Sequence, residues 1–109
     1  MAEITSINQK RTFGFVEATA LLPVVRRITQ EAVTQAEALA VRYEALPATS
    51  ATRAELETEL SRVILAWAAK VKKLGADAKG VWLVDFDAGD GSAWAWRYPA
   101  SDLEELESA

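Results

Sequence analysis

With 109 residues, half of them apolar and about a quarter charged, the chain has the composition of one small globular domain, long enough for a single core. Its 12 basic and 16 acidic residues leave a net charge of −4, and no basic stripe is present to recruit nucleic acid. The absence of cysteine and histidine excludes disulfides, thiolate metal sites, cysteine nucleophiles and Ser-His-Asp triads. No run of 18 apolar residues occurs, so no membrane-spanning helix is expected, and Met1 to Lys10 lack the apolar core of a signal peptide. A cysteine-free chain suits the cytoplasm, and a soluble cytoplasmic protein without a cofactor is the expectation.

Residues 1–9 show no period and read as a loose arm. Lys10 to Phe13 reads as a short strand, because Thr and Phe suit a pleated surface. Gly14 is placed to cap a helix, with Glu17 three residues on as the far half of a capping box. From Phe15 to Leu46 apolar residues recur at spacings of three and four: Leu22, Val25, Ile28 or Thr29, Ala32, Ala36, Leu39, Tyr43 and Leu46. Pro23 interrupts this stripe. A proline inside a helix removes one hydrogen bond and crowds the preceding turn, so the pattern predicts either a kink near Leu21 and Leu22 or a new helix starting at Pro23.

Pro47 ends the first helix, and Thr52 with Glu55 forms a capping box that opens a second over residues 52–74. Its stripe is Leu56, Leu60, Val63, Ile64, Trp67, Val71 and Leu74. Lys70, Lys72 and Lys73 lie in its last turn, where cations meet the negative end of the helix dipole, and Gly75 supplies the left-handed closing residue. A short connector between two long helices implies an antiparallel helical hairpin.

The period then changes to two. Gly80 to Asp87 and Ser92 to Tyr98 read as strands joined through Ala88-Gly89-Asp90-Gly91, a β-hairpin with three of the four tryptophans. Its loop length decides which faces coincide, because a slip of one residue inverts a strand. A two-residue Asp90-Gly91 turn sets Trp94 and Trp96 beside Asp85. A longer loop of opposite parity unites Trp82, Val84, Phe86, Trp94, Trp96 and Tyr98 on one face and leaves Asp85 with Arg97 on the other. The second register keeps a carboxylate out of an aromatic layer and is preferred. The segment Asp85 to Gly91 also resembles a calcium loop, but Gly89 occupies a ligand position and the distal glutamate is missing, so aspartate and glycine read as turn residues. Residues 99–109 form an acidic tail in which Ser101 to Leu106 reads as a frayed helical turn. The fold expected is α+β: a helical hairpin packed with a small antiparallel sheet made of the C-terminal hairpin and the short N-terminal strand.

Phe13-Gly14-Phe15-Val16-Glu17-Ala18, continuing to Leu21-Leu22-Pro23, resembles the opening of bacterial proteins called domain of unknown function 2203, which begin with an aromatic, then Thr-x-Glu-Glu-Ala, then Leu-Leu-Pro. Gly80-Val81-Trp82-Leu83-Val84-Asp85-Phe86 and Ala95-Trp96-Arg97 are similar to that family's Gly-x-x-Leu-Val-Asp-Phe and Cys-Trp-Arg segments. Gly14 stands where the family has threonine, Ala95 where it has cysteine, and the family's closing Trp-His is replaced by the acidic tail. The resemblance implies the fold and leaves the function open. The polar positions that match are Glu17, Asp85 and Arg97.

Two functions compete. The first is a non-enzymatic structural or protein-interaction module that self-associates as a dimer. Helices this long outreach a short sheet, and the stripe at Leu39, Tyr43, Leu56 and Leu60 would need a partner. The second is a small polar ligand- or metal-binding domain, catalytic or not, in which Glu17, Asp85 and Arg97 stand beside an aromatic wall of Trp94 and Trp96. Against it, Glu17 reads as a cap, Asp85 and Arg97 as a cross-strand ion pair, and the tryptophans as core.

Overall fold

The computed structural model describes residues 12–106, as two helices followed by four strands. Helix α1 spans Phe15–Glu44 and α2 spans Ala51–Lys73. Strands β1 (Asp77–Gly80), β2 (Leu83–Asp87), β3 (Ala93–Arg97) and β4 (Glu104–Leu106) form an antiparallel meander in the order β1-β2-β3-β4. The helical hairpin and the α+β class are therefore as the periodicity implies. No helix among the described residues is long and apolar enough to cross a membrane.

The helix ends follow from local chemistry. At the start of α1 the Glu17 carboxylate accepts the Gly14 N–H at 2.8 Å, satisfying a backbone donor that has no helical partner. Pro23 lies inside α1, which runs on unbroken as one helix of 30 residues, so the alternative of a separate helix starting at Pro23 is not realised. Proline at this exposed position leaves only the carbonyl of Thr19 without its usual donor, a group that water can reach. Helix α2 is capped two residues earlier than Thr52 and Glu55 suggest: the Ser50 hydroxyl accepts the Thr52 N–H at 3.2 Å. It ends in a Schellman motif. Gly75 adopts φ +94°, its N–H bonds the carbonyl of Lys72, and the Ala76 N–H bonds that of Val71. Val71 and Ala76 are both buried, so this turn also delivers the chain into β1.

The sheet corrects two expectations. The predicted first strand from Gly80 to Asp87 is two strands, because Val81 and Trp82 turn the chain and Trp82 sits at φ +62°. A left-handed conformation is costly for a side chain this large. It is held by the indole, which packs edge-to-face on Trp67 with centroids 5.0 Å apart, and by the Trp82 carbonyl, which accepts the Tyr98 N–H at 3.0 Å. Of the expected N-terminal strand, Lys10 and Arg11 lie outside the described residues; Thr12 and Phe13 are not in a strand, and the Phe13 N–H bonds the carbonyl of Asp87. The acidic segment expected as a helical turn forms β4, pairing Glu104 with Ala95 and Leu106 with Ala93.

The register between β2 and β3 is the one that polarity favours. Val84 pairs with Trp96 and Phe86 with Trp94, across a connector from Ala88 to Ser92. That parity puts Val84, Phe86, Trp94 and Trp96 on the inner face, against the helices, and Leu83, Asp85, Ala95 and Arg97 on the outer face. Gly89, at φ +90°, brings the connector so close to Thr12 that an added Cβ would lie 3.1 Å from its methyl. The core is Phe13, Ala18, Leu22, Val25 and Ala32 from one side, Trp67, Val71 and Ala76 from the second, and Val84, Phe86 and Trp96 from the sheet.

One polar pair is buried inside it. The Trp67 indole N–H donates to the Thr29 hydroxyl at 2.7 Å, with both residues almost fully enclosed. An indole N–H without an acceptor in such a core carries its full desolvation cost. Replacing Thr29 by valine keeps the volume and removes only the acceptor, so Thr29→Val is expected to lower unfolding free energy by about 1–3 kcal/mol in urea denaturation.

Candidate functional site

Strand alternation divides the residues that sequence reasoning grouped as a ligand site. Glu17 is engaged at the helix start. Trp94 and Trp96 face inward: Trp96 is 1% exposed and donates its indole N–H to the carbonyl of Ala100 at 2.7 Å, while Trp94 donates to the carbonyl of Phe13 at 3.2 Å. Asp85 and Arg97 lie on the opposite face of the sheet. The structure thus brings Asp85 and Arg97 together and separates both from Glu17 and the tryptophans, because neighbouring residues of a strand point to opposite faces.

On the outer face Asp85 and Arg97 line an open groove of about 620 Å³. Its floor is Leu83, Ala95 and Leu106. Lys79 comes from β1, Asp102 and Glu104 from the segment leading into and forming β4, and Tyr98, Pro99 and Ala100 from the turn between β3 and β4, where the Tyr98–Pro99 peptide is cis. Two cationic and three anionic side chains therefore surround an apolar strip. Such a surface suits a ligand that carries both charges. Sequence reasoning missed Lys79, Asp102 and Glu104 because it read their segments as loop and tail.

Nothing here has the form of a metal centre. Among the described residues no group of three or more acidic, cysteine or histidine residues is placed to hold an ion. In the Ala88–Ser92 connector the carboxylate of Asp87 accepts the Gly89 N–H at 2.8 Å, and that of Asp90 accepts the Ser92 N–H and hydroxyl. The Ser92 hydroxyl, then the Ser92 N–H, hold the Asp90 carboxyl below its ordinary pKa. These aspartates serve the turn.

Residues 11–103 match the model of a family described as an uncharacterized conserved protein, domain of unknown function 2203. The chain belongs to that family. No curated protein and no solved structure matches it. The family's Leu-Val-Asp-Phe segment is β2, and its Trp-Arg dipeptide is the inward and outward pair Trp96 and Arg97 of β3. The family resemblance therefore spans both faces of the sheet.

A second candidate surface lies at the far end of the helical hairpin. Leu39, Tyr43, Leu56 and Leu60, the predicted interface residues, line one hollow of about 280 Å³ together with Ala40, Glu44 and Glu57. The Tyr43 hydroxyl donates to Glu57 at 2.8 Å, and the Arg53 guanidinium lies 4.1 Å from the centre of the Tyr43 ring while its Nε donates to the Tyr43 carbonyl. The hydrogen bond to Glu57 leads in raising the phenol above its ordinary pKa, with slight desolvation and the Glu57 charge adding and Arg53 opposing.

Arg97 is exposed, and an exposed charge on a sheet surface contributes little to stability. Arg97→Ala is expected to change the unfolding free energy by less than about 1 kcal/mol in urea denaturation. A larger loss would make Arg97 a structural pin of the sheet rather than a free element of the groove.

Proposed function

We propose that this protein is a non-enzymatic interaction module that self-associates through the distal half of its helical hairpin. The observation that carries this reading is the distribution of burial. Between residues 34 and 66, Leu56 alone is buried, although the helices continue there for several turns. A helix of 30 residues is about 45 Å long, whereas strands of five residues span about 17 Å and four strands side by side about 15 Å. The sheet can therefore cover less than half of the hairpin. Beyond it two helices pack only on each other, with Leu39, Tyr43 and Leu60 half-buried around an apolar hollow and Val41 and Leu65 each 69% exposed. Helix pairs of this kind complete their core by joining a second pair as a four-helix bundle, and a twofold dimer is the simplest closed arrangement. The cysteine-free sequence suits a reducing compartment, and we take the cytoplasm as its location.

A second reading rests on the outer groove: Asp85 and Arg97, with Lys79, Asp102 and Glu104, would hold a small polar ligand of mixed charge. Arg97→Ala separates the two readings, since it leaves the helical hairpin untouched.

For the first reading the measurement is light scattering on size-exclusion chromatography. At tens of micromolar the chain should elute at twice its own mass, and Leu60→Asp should elute as a monomer with an unchanged helical circular dichroism spectrum. A wild-type chain that stays strictly monomeric at that concentration overturns the proposal.

A further inference from the structure

Pro23, Arg26, Arg27 and Gln30 are spaced by three, one and three residues, so they share one face of α1. The chain leaving β3 lies against that face, and Trp96, Tyr98 and Pro99 complete a hollow of about 350 Å³. Two of the segments that carry the family resemblance, Leu21-Leu22-Pro23 and Ala95-Trp96-Arg97, meet here.

The polar character of this hollow is one-sided. Its lining contains no carboxylate. Arg26 and Arg27 are both exposed, and neither makes an ion pair or a side-chain hydrogen bond with a described residue. The Tyr98 hydroxyl gives its proton to Gln30 Oε1 at 2.8 Å, which orients the amide. Gln30 Nε2 gives one hydrogen to Thr34 at 3.3 Å and keeps the other. The hydrogens left over are therefore those of two guanidiniums and one amide. Two adjacent guanidiniums repel each other unless an anion lies between them, and their planar forks match the oxygens of a carboxylate or phosphate. In a chain of net charge −4 these two adjacent guanidiniums make the hollow locally positive. The remaining walls are two prolines and the rings of Trp96 and Tyr98, which stand nearly perpendicular with centroids 6.3 Å apart. Trp96 is buried behind them, so Tyr98 and the two prolines offer the apolar and aromatic surface to whatever body the anion carries.

We propose that this hollow binds a small organic anion, a carboxylate or phosphate on an aromatic body, with Arg26 and Arg27 on the anion and Tyr98, Pro23 and Pro99 against the ring. The site is independent of the helical-hairpin interface and lies on the opposite side of β3's outgoing turn from the mixed-charge groove, with which it shares only Tyr98 and Pro99.

The test is a titration of the full ¹⁵N-labelled chain with phenyl phosphate and with benzoate, using inorganic phosphate and benzyl alcohol as controls. Saturable shifts are expected at the Trp96 indole N–H, the Gln30 side-chain amide and the backbone of Tyr98 and Ala100. The double variant Arg26→Ala, Arg27→Ala, both exposed helix positions, should stay folded and bind at least about tenfold more weakly, the loss expected when charge-assisted hydrogen bonds are removed. The tighter of the two aryl anions names the headgroup. The proposal is overturned if neither aryl anion saturates, if inorganic phosphate or benzyl alcohol binds as tightly, if the shifts lie elsewhere, or if the double variant binds as well as the wild type.

Discussion

A single hydrogen bond buried between the helices, from the Trp67 indole to the Thr29 hydroxyl, sets the frame on which the other elements are hung. It joins residues 38 apart in sequence and leaves one way to slide α1 against α2 without stranding a polar group in the core. From it a closed circuit runs through the molecule. Trp67 receives the edge of Trp82 in the turn between β1 and β2. The Trp82 carbonyl takes the Tyr98 N–H at the end of β3, and the Tyr98 hydroxyl returns to Gln30, the residue after Thr29. Sheet and helices are thereby fixed to each other by contacts from both helices and from the turns at the ends of β1 and β3. The left-handed backbone of Trp82 is tolerated because the surrounding contacts over-determine its position.

This frame sits at one end of the hairpin. The aromatic layer of Phe13, Phe86, Trp67 and Trp96 concentrates apolar burial where the sheet docks, and past Val33 on α1 little remains to bury without a second molecule. Helices held mainly by their own propensity and one neighbour are weak over such lengths in water. The exposed distal half and the tightly packed proximal half are thus two consequences of one arrangement: a small sheet covers a short stretch of long helices. The same arrangement lets the proximal end carry a mixed-charge groove and a basic hollow on either side of the turn after β3.

Much of this was legible in the sequence. The stripe from Leu22 to Tyr43, the stop at Pro47 and the glycine at 75 suffice for two antiparallel helices, and the cost of burying Asp85 selects the β2–β3 register. Strands β1 and β4 were not legible. Asp77-Ala78-Lys79-Gly80 and Glu104-Glu105-Leu106 have neither β-branched nor aromatic residues, and they are strands because β2 and β3 offer them unpaired edges. The turn at Trp82 was hidden for the converse reason: an aromatic in a period-two run reads as strand interior, and only its contact with Trp67, 15 residues back in the chain, makes the left-handed conformation affordable. At the sites, alternation within β3 parts Trp96 from Arg97, so residues adjacent in sequence serve different surfaces. The face made by Pro23, Arg26, Arg27 and Gln30 follows from helical spacing, but that Trp96 and Tyr98 land on it depends on how the sheet docks.

Native-state hydrogen exchange tests most directly whether one end of the molecule holds the fold while the other awaits a partner. Amides around Thr29, Trp67, Val84 and Trp96 should exchange only through global unfolding. Those of residues 36–44 and 52–60 should exchange faster by local opening and become more protected as protein concentration rises. Uniform protection along both helices, unchanged by concentration, would contradict it.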